Sequence, residues 1–145
     1  MERRTDTRRP ATPEEISARI RSEHAEISAL VARVEALSER VSSGADVNKT
    51  IVALREELQG LASVLLEHLH YEEYQLPTLA PDGEADQMAE DMRREHRAQR
   101  ELLDRVIREL DETAVGSKLV VGVRELARAI RDDMEHEEHE LLTQS

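Results

Sequence analysis

A chain of 145 residues with no cysteine can bury one sizeable core, but disulfides, iron–sulfur clusters, thiolate metal sites and cysteine nucleophiles are excluded. Its 20 basic and 32 acidic residues leave a formal charge of −12, which argues against nucleic acid as a partner. No segment has the apolar length of a membrane span, and no apolar run follows the N-terminal arginines as in a secretory signal, so the expected setting is the cytoplasm. With no Phe or Trp, the core must be built from Leu, Val, Ile, Ala and Met.

Residues 1–11 read as a disordered basic tail: MERRTDTRRP is polar and aperiodic. A single domain over residues 12–145 follows it. Thr12, Pro13 and Glu15 form a helix start, with a Thr cap, Pro in the first position and Glu in the third. The helix they open carries Ile16, Ile20, His24, Ile27, Val31 and Val34 on one stripe, reaches about Ser43 and stops at Gly44. Asp46 is expected to cap a second helix, whose stripe of Leu54, Leu58, Leu61 and Leu65 runs into LLEHLHYEEYQLP and ends near Pro77. Pro77–Gly83 reads as a loop, and Asp82 or a neighbour as the cap of a third helix. There Met88, Met92, His96, Leu103, Val106 and Leu110 share a face. Gly116-Ser117 separates it from a fourth helix with Leu119, Val123, Leu126, Ile130, Asp133 or Met134, and Glu137 on its stripe. Long amphipathic helices, short connections and no strand signal predict an all-α, up-down-up-down antiparallel four-helix bundle.

Each apolar stripe is interrupted by groups that are costly to bury alone: His24, His68 with Glu72, His96, and Asp133 with Glu137. His68 and Glu72, like Asp133 and Glu137, are one helical turn apart and so share a face. His24 and His96 each lie about 20 residues before a loop, and His68 and the Asp133–Glu137 pair about 17–24 residues after one. In antiparallel helices of equal rise, all four sets then meet at one depth. A lone histidine on an apolar stripe is most often a hydrogen-bonded core group. Three at one depth, with carboxylates at one-turn spacing, point instead to a metal site, and imidazole with carboxylate suits iron, manganese or zinc.

On these residues, His24 in RSEHAEI, His68 and Glu72 in EHLHYEE, and His96 in RREHRAQ, the chain resembles the hemerythrin-like, or HHE cation-binding, family. The Glu72-Glu73 pair and Pro77 are similar too. The resemblance covers essentially everything from Thr12 onward. It implies a non-haem di-iron centre that binds or senses dioxygen, nitric oxide or peroxide, or handles iron; any turnover of peroxide or nitric oxide rests on that analogy, since no catalytic motif is present.

The fourth helix departs from the family's His-x-x-x-Glu. His136-x-x-x-Glu140 satisfies it literally, but the apolar phase aligns Asp133 with the histidine position and Glu137 with the glutamate. The expected ligands are therefore His24, His68, Glu72, His96, Asp133 and Glu137, with His136 as a neighbour able to swing in. Glu72 and Glu137 are the candidate bridges. One turn beyond His96, where hemerythrin has a second histidine, stands Arg100, a cation that cannot ligate. That makes the site poor in histidine for reversible oxygen carriage. His70 and His139 face away from their stripes, Tyr71 and Tyr74 flank the motif as packing groups, with hydrogen bonding or metal ligation as the alternative, and Asp132–Glu140 reads as a solvated acidic helix end, secondarily a cation funnel. A ferritin-like bundle would use Glu67-x-x-His70, whose histidine faces outward. The alternative of another class is a metal-free structural or interaction bundle with a degenerate site, in which the buried histidines are satisfied by direct protein partners.

Overall fold

A computed structural model describes residues 10–44, 46–111 and 117–142. Four long helices run through them: α1 (Pro13–Ser43), α2 (Val47–Gln75), α3 (Ala85–Asp111) and α4 (Ser117–His136). Among the described residues there is no strand. Helix α1 packs against α2 and α4, and α3 packs against the same two, so α1 and α3 lie across the diagonal of a four-helix bundle.

The start of α1 is as the sequence dictates. Glu15 N–H donates to Thr12 Oγ1 at 3.1 Å and Thr12 N–H to Glu15 Oε1 at 2.9 Å, a reciprocal capping box with Pro13 in the first turn. Gly44 ends the helix at φ 84°, a left-handed conformation suited to glycine, and donates its N–H to Val41. Asp46 differs from expectation. It precedes α2 at φ 45°, and its side chain makes no capping bond, because a left-handed residue turns its carboxylate away from the first amides of the helix. Helix α2 stops at Gln75, and the presumed loop after it begins with a 3₁₀ turn, Leu76–Leu79, that buries Leu76. Of the expected N-terminal tail, residues 1–9 lie outside the described residues, while Ala11 packs on the bundle. Gly116 also lies outside them.

The predicted stripes are the buried faces. One large aliphatic cluster fills most of the length, from Val41, Leu54, Leu110 and Leu119 at one end to Leu65, Leu69, Ile130 and Met134. A second, smaller cluster of Ile16, Ile20, Leu76, Met92 and Leu142 closes the other end. Between them sits the polar insertion. Ion pairs span the helix seams outside: Arg131 clamps Glu35 at 2.7 and 3.0 Å, and Arg33 meets Glu57 at 2.9 Å.

The end of α4 is irregular. Glu137–Leu141 forms a π turn, with the Leu142 N–H reaching back five residues to the Glu137 carbonyl at 2.9 Å. The wider turn returns the chain to the inner face at Leu142, where a plain α-turn from Glu137 would deliver residue 141. No helix among the described residues is long and apolar enough to cross a membrane.

Candidate metal centre

His24, His68, Glu72, His96 and Glu137 are all buried, and Asp133 is nearly so, with a tenth of its side chain exposed. Each comes from a stripe position, so the apolar periodicity that builds the core also carries these side chains to the axis. Their facing atoms converge. His24 Nε2 lies 3.0 Å from Glu137 Oε1 and 3.3 Å from Glu72 Oε2, and His68 Nε2 lies 2.7 Å from Glu72 Oε2. His96 Nε2 lies 3.3 Å from both Glu72 Oε1 and Asp133 Oδ2, and 3.7 Å from Glu137 Oε2.

Two overlapping ligand sets result. One combines His24, His68, Glu72 and Glu137; the other combines Glu72, His96, Asp133 and Glu137. Glu72 and Glu137 belong to both. His136 is not brought in. It is exposed and lines a surface cleft beside Asp133, because α4 turns its Asp133/Glu137 face to the axis. His70 is exposed, Tyr74 projects into solvent, and Tyr71 stacks beneath the Arg19 guanidinium at 3.8 Å.

Behind the convergent atoms stands a second set of carboxylates. His24 Nδ1 is hydrogen-bonded to Glu138 at 2.7 Å, His68 Nδ1 to Glu23 at 2.7 Å, and His96 Nδ1 to Glu73 at 2.8 Å. Each imidazole is thereby fixed with Nε2 aimed at the axis, the carboxylate–histidine arrangement that orients metal ligands. Arg19 steadies Glu23 at 2.8 Å and Arg100 steadies Glu73 at 3.0 Å. Arg100 thus supports a ligand candidate from behind instead of merely occupying a lost one's place. Gln99, also buried, donates to Asp133 Oδ2 at 2.8 Å. Glu23, Glu138 and Gln99 were not singled out from the sequence, and Glu73 entered only through its pairing with Glu72 in the family resemblance. The signal was available for three of them: a second acid directly beside a stripe residue, in Glu23-His24, Glu72-Glu73 and Glu137-Glu138, reaches the histidine of the next helix.

Charge is the other feature of the cluster. Burial disfavours the imidazolium of His24, but Glu137, Glu72 and Glu138 outweigh it and raise its pKa to about 10. Burial is likewise overcome at His96, where Asp133, Glu137 and Glu72 push the value up to about 12. Burial and the neighbouring Glu72 raise the Glu137 carboxyl well above the usual range, while Glu72, against its own burial, is held well below it by Glu137 and the three imidazoles. Carboxylates buried this closely call for compensating positive charge, which the imidazolium forms of His24 and His96 supply. Even so, hydrogen bonding does not satisfy every group: His68 Nε2, His96 Nε2, Glu72 Oε1 and Glu137 Oε2 are buried without a hydrogen-bond partner, although ion-pair distances bring them close to one another.

Compared with known families, the chain matches the Hemerythrin HHE cation binding domain over residues 15–144. No curated protein and no solved structure matches it. The family match spans nearly the whole chain, and the protein belongs to that family.

Proposed function

We propose that this member of the hemerythrin HHE family binds a non-haem pair of metal ions, iron foremost, with manganese and zinc compatible with the same donors. The observation that carries the reading is the orphaned quartet of His68 Nε2, His96 Nε2, Glu72 Oε1 and Glu137 Oε2. Buried polar atoms rarely go without partners, and these four belong to residues whose donor atoms gather into the two ligand sets at the axis. The donor chemistry fits. His24 and His68 would serve one ion and His96 with Asp133 the other, with Glu72 and Glu137 common to both. A metal-free scaffold with a degenerate site calls for satisfied histidines, which among the three describes His24 alone.

Redox-active ions such as iron would, when bound, supply electrons to a small oxidant, so the partners of this reading are metal ions and a small diatomic molecule or peroxide, sensed, bound or consumed. The chain's own residues hold the ions, orient the imidazoles through Glu23, Glu73 and Glu138, and exclude bulk water with the aliphatic layers on either side. The reading assigns no catalytic side chain; turnover of peroxide or nitric oxide would belong to the metals. It keeps the cytoplasm as the setting and leaves nucleic acid and membranes outside the function.

Elemental analysis of protein purified after growth with iron, beside its ultraviolet–visible spectrum, tests this. About two irons per chain with charge-transfer absorption are expected. A stably helical chain that takes up no metal after reconstitution overturns the proposal.

A further inference from the structure

The two ligand sets are not equivalent. Besides the shared Glu72 and Glu137, one has two imidazoles, while the other has a single imidazole and the carboxylate of Asp133. They also differ in access. A cleft of about 470 Å³ beside α3 and α4 reaches Asp133 and Glu137, and its walls include Glu84, Asp91 and Glu95. A second cleft, of about 310 Å³, meets Asp133 from the α3–α4 seam, past Gln99 and Asp132. At the α1–α4 seam the cleft beside His24 is lined by Arg21 and Arg131 together with Glu135 and Glu138, with Arg131 paired to Glu35 and Glu138 to His24. A cation approaching from solvent meets acidic walls with no lysine or arginine among the described residues on the Asp133 side, and mixed charge beside His24. At the floor of the acidic cleft, Glu137 is only 2% exposed and its Oε2 has no hydrogen-bond partner.

Resting on the metal-binding reading above, we propose that the position formed by His96, Asp133, Glu72 and Glu137 is an exchange position. It is filled and emptied through the acidic α3–α4 cleft, and its oxygen-rich donors favour a hard divalent cation such as manganese(II). The position formed by His24 and His68 retains its ion. Carboxylate oxygens suit manganese and magnesium, whereas imidazole adds affinity for iron and zinc, so the donor sets alone separate the two positions. Gln99 reinforces the difference: by binding Asp133 Oδ2 it fixes this carboxylate at the mouth without adding a nitrogen ligand.

The test uses the full chain loaded with iron(II) in the absence of oxygen and then mixed with excess manganese(II). Metal content is followed by elemental analysis, and the incorporated manganese by electron paramagnetic resonance. One iron per chain should be replaced at least about tenfold faster than the other, the scale on which ligand-shell changes alter metal affinity. Asp133→Asn should abolish the fast phase and leave one slowly exchanging iron. Glu95→Gln, on the exposed wall of the cleft, should slow the fast phase and leave the final metal content unchanged. Equal exchange rates for both ions, or loss of both in folded Asp133→Asn, would overturn the exchange position while leaving the metal centre intact. A folded wild-type chain that takes up no iron overturns the metal reading itself, and the exchange position with it.

Discussion

The same four helices build two interiors of opposite character. Toward one end, Val34, Val41, Leu54, Leu58, Leu110 and Leu119 meet in an aliphatic core where burial is stabilising, with the uncharged Ser38 and Thr50 buried in the same stretches of α1 and α2. Toward the other, the stripes change from aliphatic to ionisable within one turn: Leu65 gives way to His68 and Glu72, and Ile130 to Asp133 and Glu137. Helix phase is unchanged across the boundary; only the chemistry at the axis differs. The aliphatic core and the proposed metal centre therefore occupy separate stretches of the same helices.

The sharpest way to break the comparison is Glu72→Ala. Glu72 belongs to both ligand sets, so this variant should lose metal loading altogether and retain its helical circular dichroism. A variant that still carries two irons would remove Glu72 from the centre. The converse change is Leu54→Ala, in the aliphatic end, where the side chain is fully buried. It should destabilise the protein by about 2–5 kcal/mol in urea unfolding while leaving metal stoichiometry unchanged. If metal content falls in step with stability, the two regions are one cooperative unit.

A smaller effect is expected behind the ligands. Glu73→Gln keeps the shape but weakens the anchor of His96 Nδ1, and metal affinity should fall about 10–100-fold by competition with a chelator. Unaltered affinity would mean that packing alone orients His96. At the bottom of the scale, Arg124→Ala removes an exposed pair with Glu39 at 3.2 Å and should change stability by less than about 1 kcal/mol and metal binding not at all.

The same contrast explains what the sequence disclosed. Apolar periodicity defines a helix face over many turns, so the four helices and the depth of His24, His68 and His96 were legible. It also chose Asp133 and Glu137 over the literal His136-x-x-x-Glu140, and the structure leaves His136 exposed. Local backbone geometry was not legible: nothing in the residue types foretold a left-handed Asp46, whose composition reads as an ordinary cap. Side chains flanking a stripe were equally obscure. Gln99 and Arg100 are both neighbours of His96, at three and four residues, and only packing shows that the amide turns inward to Asp133 and the guanidinium sideways to Glu73.

The π turn after His136 also records a mismatch of chain length. Upstream, the frame is set by Asp133 and Glu137 facing the axis; downstream, Leu142 is anchored in the aliphatic plug with Ile16 and Met92. Those two fixed points are five residues apart, one more than an α-helical turn supplies. The surplus residue is absorbed within 138–141, making 139–141, beyond the Glu138 that anchors His24, the place where the chain can shed a residue with least disturbance to either side. Removing one there would turn the wide turn into a regular one and still deliver Leu142 to the plug, whereas a deletion one turn earlier would rotate Glu137 off the axis.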